Sequence, residues 1–229
     1  MYNVIQIDKN VNADGLIAEC ETLERAERIC KEVRKIWKKT YIEEEITMKN
    51  IFIDKLKKSL KDRFNYKLID ELEEGGFFTA PCSTQYHLAK EEGLLEHSLN
   101  VANLAEDIGK LLGFEDEKLD SLIVCALLHD VGKMGQFGKA NYIENILKSG
   151  EQSKSKPYTS NSELMYVPHE IRSLQIVGKY IDLTEEESFA ILHHNGMYGD
   201  LKYTLSGKET PMQMVLHFAD MWASRVEEV

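Results

Sequence analysis

A mainly helical fold, preceded by a small α+β unit, is predicted by three features of the sequence. From Leu94 onward, apolar residues recur every three or four positions, the spacing of one helix face. Helix start and stop signals punctuate the same region: a Thr184/Glu187 capping pattern, Pro168 at a helix start, and Gly113, Gly132 and Gly196 at helix ends. Residues 1–48 differ: the short runs YNVIQI, GLIAEC and YIEEEITM read as strands around a single helical stretch.

That N-terminal unit, residues 1–48, is expected to run strand, strand, helix, strand. Its helix, TLERAERICKEVRKIWKK, puts Leu23, Ala26, Ile29, Cys30, Val33 and Trp37 on one stripe. Arg28, Lys31, Lys35 and Lys38 share the other side, as a solvated face or as a contact for RNA or a partner. Residues 49–67, KNIFIDKLKKSLKDRFNYK, carry seven basic and two acidic side chains and are expected to form a connecting helix, open to the same two readings. They begin the main domain, residues 49–229.

In LLEHSLNVANLAEDIGKLL, Leu94, Val101, Leu104, Ala105, Ile108 and Leu112 line one stripe, His97 falls on that buried side, and Gly113 stops the helix. EDEKLDSLIVCALLHDVG opens on acidic residues suited to a helix N-terminus and closes at Gly132. Residues 149–162, SGEQSKSKPYTSNS, hold little that packs and are expected to form a mobile loop. PHEIRSLQIVGKYI starts on a proline, and TEEESFAILHHNG runs from its capping box to Gly196. Residues 197–210 read as a turn or short hairpin, and PMQMVLHFADMWASRVEEV as a last amphipathic helix.

Composition narrows the function. With 39 acidic against 28 basic residues the net charge is −11, which repels polyphosphate backbones and argues against general duplex binding, though a local basic groove stays open. Cys20, Cys30, Cys82 and Cys125 lie far apart with no CxxC pair, so they read as reduced thiols rather than a thiolate metal site. No leader-like segment and no apolar run of spanning length stands out, so a cytoplasmic protein with no membrane contact is expected.

All seven histidines lie between positions 87 and 217, and several interrupt apolar helical faces: His97, His129 beside Asp130, His169, His193 beside His194, and His217 with Asp220. A single such histidine is ordinarily a hydrogen-bonded core residue. Five such sites on four helices are harder to explain that way. A buried, ionised Asp130 or Asp220 costs several kcal/mol unless paired or bound to a cation. A divalent metal answers both needs, and imidazole with carboxylate suits Mn, Fe, Zn, Ni or Co without choosing among them.

The order of GLLEHSLNVA, ALLHDVGK and LHFADMWASR resembles the HD superfamily of metal-dependent phosphohydrolases, an all-helical fold, over roughly residues 66–229. The resemblance implies that His97, His129, Asp130 and Asp220 hold a first metal. It further implies that His169 and His193 serve a second, with Asp130 bridging. The cofactor would be one or two divalent ions (Mn, Fe, Ni, Zn, Co or Mg). Lys133 stands where family members place a lysine near phosphate. The segment FFTAPCSTQYHLAKEEGLLEHSLNVA is similar to HD proteins of phages and mobile elements and to the HD domain of bacterial 3′→5′ exoribonucleases. The oligonucleotide-binding barrel that precedes the HD domain in those nucleases has no counterpart in this sequence. HHNGMYGD replaces the GYP signature of cyclic-dinucleotide phosphodiesterases, and VGKMG lacks the acidic residues of alarmone hydrolases.

On these grounds the expected activity is hydrolysis of a phosphoester in a nucleotide or short single-stranded nucleic acid, by a water that two ions make acidic. Asp130 and Lys133 would be the catalytic pair, with Lys133, His87 and His194 touching substrate. His87 is equally an ordinary surface or core residue, and His194 an outer support of the metal. His217 suits a hydrogen bond behind the ligands or packing, and Arg225 either a phosphate or a carboxylate. A 3′→5′ exoribonuclease and a non-catalytic nucleotide-binding module are the alternatives.

Overall fold

The computed structural model describes Tyr2–Gln6, Gly15–Cys20 and residues 47–228. The chain divides into two compact units, Met1–Thr47 and Met48–Val229. In the first, β1 (Tyr2–Gln6) pairs antiparallel with β2 (Gly15–Cys20), with a register shift between Val4 and Ile5. The expected helix of this unit lies outside the described residues, as does its third strand except at its end, where Met48 already opens a helix.

The second unit is a helical bundle. Its elements are α1 (Met48–Leu60), α2 (Tyr66–Glu74), α3 (Gly93–Leu111), α4 (Asp116–Leu128), α5 (His169–Val177), α6 (Glu185–Leu192), α7 (Lys202–Leu205) and α8 (Pro211–Trp222). Every residue of α4 from Leu122 to Leu128 is buried, as fits a helix with neighbours all round. It packs on α1, α3, α6 and α8. α3 buries Leu94, Leu95, Val101, Ala102 and Ala105, but Leu112 is 61% exposed and leaves the predicted stripe. The helix ends before it, at Leu111, and Gly113 takes the positive φ of 76° that such a terminus favours.

Four of the seven cations at 49–67 pair with acids of this unit. Lys49 pairs with Glu73, Lys55 Nζ lies 2.5 Å from Glu106, and Lys61 Nζ lies 2.6 Å from Asp120. Arg63 meets Glu187 through two bonds of 2.7 Å. Glu187 is fully buried and also closes the predicted capping box at Thr184, so one carboxylate ties α6 to the segment after α1.

Between α4 and α5 the chain makes two small hairpins, β3 (Gly135–Gln136) with β4 (Lys139–Ala140) and β5 (Tyr142–Glu144) with β6 (Tyr158–Ser160). The stretch 149–162, expected as a loop without structure, closes the second hairpin. Its backbone is pinned by Leu147 N–H to Glu151 O at 2.8 Å and Ser153 N–H to Asn145 O at 2.8 Å. Small and polar residues signal weak packing, yet say nothing against backbone pairing. Residues 197–210 form a 3-10 turn (Gly196–Tyr198) and the short α7, not a hairpin. Among the described residues no helix is long and apolar enough to cross a membrane.

Candidate metal centre

The HD doublet is not helical, as its apolar run had suggested. α4 stops at Leu128, and His129 and Asp130 lie just past its end, ahead of a 3-10 turn at Val131–Met134. A helix C-terminus leaves carbonyls unpaired. His129 uses one of them, donating Nδ1–H to Ala126 O at 2.8 Å. A carbonyl only accepts, so Nδ1 carries a proton and Nε2 is the atom left to face the cluster. The same device recurs after α6, where His194 donates Nδ1–H to Ile191 O at 2.8 Å. His97, on the buried face of α3, places Nδ1 2.9 Å from the Glu228 carboxylate. His169, the first residue of α5, has Nδ1 3.3 Å from Glu170.

Three of these rings thus spend Nδ1 on oxygen acceptors, and all four turn Nε2 toward one carboxylate. Asp130 Oδ2 lies 3.4 Å from His97 Nε2 and 3.4 Å from His129 Nε2. Its Oδ1 lies 3.2 Å from His169 Nε2 and 3.5 Å from His194 Nε2. Asp220, on α8, brings Oδ1 to 3.3 Å from His97 Nε2. His169 Nε2 and His194 Nε2 are 3.2 Å apart.

Buried polar atoms crowded this closely are costly unless protons or a cation stand between them. His97 Nε2, His129 Nε2 and both Asp130 oxygens are buried without a directed hydrogen bond. Lys133 Nζ approaches Asp130 Oδ2 to 2.6 Å, from a direction that does not make one. Burial opposes charge on Asp130, but the Lys133 ammonium holds its carboxyl well below the usual range. Burial likewise opposes charge on Lys133, and Asp130 more than restores it. The donor set fits divalent cations: His97, His129, Asp130 and Asp220 would hold one, and Asp130, His169 and His194 a second.

This corrects one assignment. His193, expected as a ligand, turns away: its ring packs 4.6 Å from Phe189 and burial, then Lys208, lowers its pKa. His194, expected beside the ligands, takes the place among them. His217 donates Nδ1–H to the His194 carbonyl at 2.8 Å, and its ring lies against Gly196. His87 has Nε2 3.2 Å from the buried Cys82 thiol, and Arg225 lies over the Tyr198 ring. Glu228 was not foreseen; an acid in a terminal EEV run reads as solvated.

The sequence profile of the HD domain matches residues 94–220, which spans α3 to the end of the ligand set at Asp220. The chain belongs to the HD domain family. No curated protein and no solved structure is similar enough to the chain to match it. The family supplies the coarse chemistry, metal-dependent phosphohydrolysis; in this HD domain His87 and Glu228 fall outside the matched stretch.

Gly132 explains how His169 arrives. A Cβ there would lie 2.1 Å from the His169 carbonyl and 2.8 Å from Ser173 N, so α5 rests directly on the backbone after the doublet. Gly132→Ala is expected to push α5 outward, costing about 1–3 kcal/mol and withdrawing His169. Chemical denaturation together with metal titration checks this; unchanged stability and metal uptake would reject it.

Proposed function

We propose that this HD domain hydrolyses a phosphoester of a nucleotide or short single-stranded nucleic acid with one or two divalent ions. The observation that carries the reading is the convergence of four imidazole Nε2 atoms on both oxygens of Asp130. Ions held there would supply Lewis acidity to a phosphoryl oxygen and make a water acidic near neutral pH. Mixed imidazole and carboxylate donors favour Mn, Fe, Co, Ni or Zn over Mg.

The chain's own groups do the rest. Lys133, 15% exposed at its side chain, offers a cation that a phosphate oxygen can share with Asp130. A cavity of about 810 Å³, lined by Gln85, Tyr86, His87, Ser224, Arg225 and Glu228, lies beside His97 and is of nucleotide size. Burial, then Lys133 and His97, lower the His87 pKa to about 4, so this ring is neutral at pH 7. Burial raises the Cys82 thiol to about 11, so its S–H donates to Nε2 and leaves His87 Nδ1–H as a donor for substrate. Arg225 on the same rim suits a second anionic group.

The exoribonuclease alternative draws less support, because most of the cations in residues 49–67 are bound to this chain's own acids. We place the protein in the cytoplasm, where nucleotides and reduced thiols belong together. Metal analysis followed by a screen of nucleotides and short RNA with Mn²⁺ tests the proposal. Metal-dependent release of phosphate or nucleoside is expected, and no turnover of any phosphoester with any divalent metal would sink it.

A further inference from the structure

We propose that Glu228 is a positioning residue: it fixes the His97 ring as a metal ligand, and acts on only one half of the centre. The inference rests on reading the cluster as a metal centre and goes on to say what holds that centre in shape.

Both Glu228 oxygens face His97 Nδ1, at 2.9 and 3.1 Å, and Oε1 also accepts from Asn100 Nδ2 at 3.0 Å. The carboxylate is 1% exposed. A buried acid shared by an imidazole and an amide is held in one orientation. It in turn keeps a proton on His97 Nδ1, so the nitrogen that can offer a lone pair to a metal is Nε2, the atom aimed at Asp130 and Asp220. The other rings are served locally: His129 and His194 donate Nδ1–H to carbonyls at helix ends, and His169 has Glu170, its own neighbour in sequence, 3.3 Å from Nδ1. Only His97, in the middle of a helix whose carbonyls are already paired, needs a group from far along the chain.

The backbone is shaped to deliver that group. After α8 the chain widens into a π-turn at Ala223–Glu227, closed by Glu228 N–H to Ala223 O at 3.0 Å. A regular α-helix turns about 100° per residue, so without the extra residue Glu228 would point elsewhere. A wide turn is costlier than an α-turn, and the carboxylate it aims at His97 is what the fold gains from it.

The test is titration of the metal-free protein with Mn²⁺ alone, followed by calorimetry, for the wild type, Glu228→Ala, Glu228→Gln, Asn100→Ala and Glu227→Ala. Glu228→Ala is expected to weaken binding about 10- to 100-fold. Glu228→Gln should recover part of this, because an amide oxygen still accepts Nδ1–H but carries no charge. Asn100→Ala should lose less than Glu228→Ala, and the exposed Glu227→Ala nothing. Where the wild type takes up two ions, only one affinity should change. Near-UV circular dichroism of each variant separates misfolding from weak binding, and the isosteric glutamine keeps the test open if the alanine variant unfolds. Glu228→Ala binding within twofold of wild type, equal weakening of two ions, or a glutamine variant that folds yet binds no better than alanine overturns the inference alone. A wild-type protein that binds no Mn²⁺ overturns the metal centre, and this inference with it.

Discussion

Asp130→Asn is expected to abolish metal uptake and reduce phosphoester turnover by well over 100-fold. Loss of a group that merely supports a ligand costs about 10- to 100-fold in metal affinity or activity. Asp130 is more than a support: each of its oxygens faces two Nε2 atoms, so one substitution removes charge from both halves of the centre. The asparagine keeps the shape, and its amide can donate to one of the bare imidazole nitrogens. Fold stability without metal should nonetheless fall, because Lys133 loses its buried counter-charge. Thermal melts separate the two effects. Free metal at 100 times its Kd should stabilise the wild type by about 2.7 kcal/mol and the variant not at all. A variant that keeps its metal-dependent rise in Tm, or keeps turnover within tenfold, would remove Asp130 from the centre.

The helical elements were legible because their cause is local. Apolar spacing, the Thr184/Glu187 box and Gly113 act within one or two turns, and the structure places helices around each of them. Residues whose role depends on a distant partner were not legible. The cations at 49–67 look like a binding surface until Glu73, Glu106, Asp120 and Glu187 are brought against them. Glu228 reads as a solvated terminal acid until the π-turn aims it at His97, 131 residues away in sequence. The hairpin at 142–160 was missed for another reason: its signal lies in backbone pairing, which small polar residues neither announce nor forbid. Most of the centre was visible as polar residues misplaced on apolar faces, and the family resemblance ordered them. What pattern alone could not decide was rotation at a helix end.

That rotation yields the second large effect, a contrast between neighbours. His194→Ala is expected to lower the affinity of one ion by more than about 100-fold, beyond what loss of a supporting group costs. His193→Ala is expected to leave metal uptake intact and to cost about 1–2 kcal/mol of stability through lost packing on Phe189. In the sequence the two are interchangeable, and AILHH invites alignment of its first histidine with that of ALLHD. Backbone geometry breaks the tie. α6 ends at Leu192, and successive residues there point roughly 100° apart, so only one ring can both reach a free carbonyl and face Asp130. His194 does, with Nδ1 2.8 Å from Ile191 O and Nε2 3.5 Å from Asp130 Oδ1. His193 instead lends its carbonyl to Gln213 Nε2 at 3.0 Å, which fastens the end of α6 to α8. Metal titration and chemical denaturation of both variants decide the matter. If His193→Ala loses the ion while His194→Ala keeps it, the rotation drawn here is wrong, and the second ion would have to sit on the far side of α6.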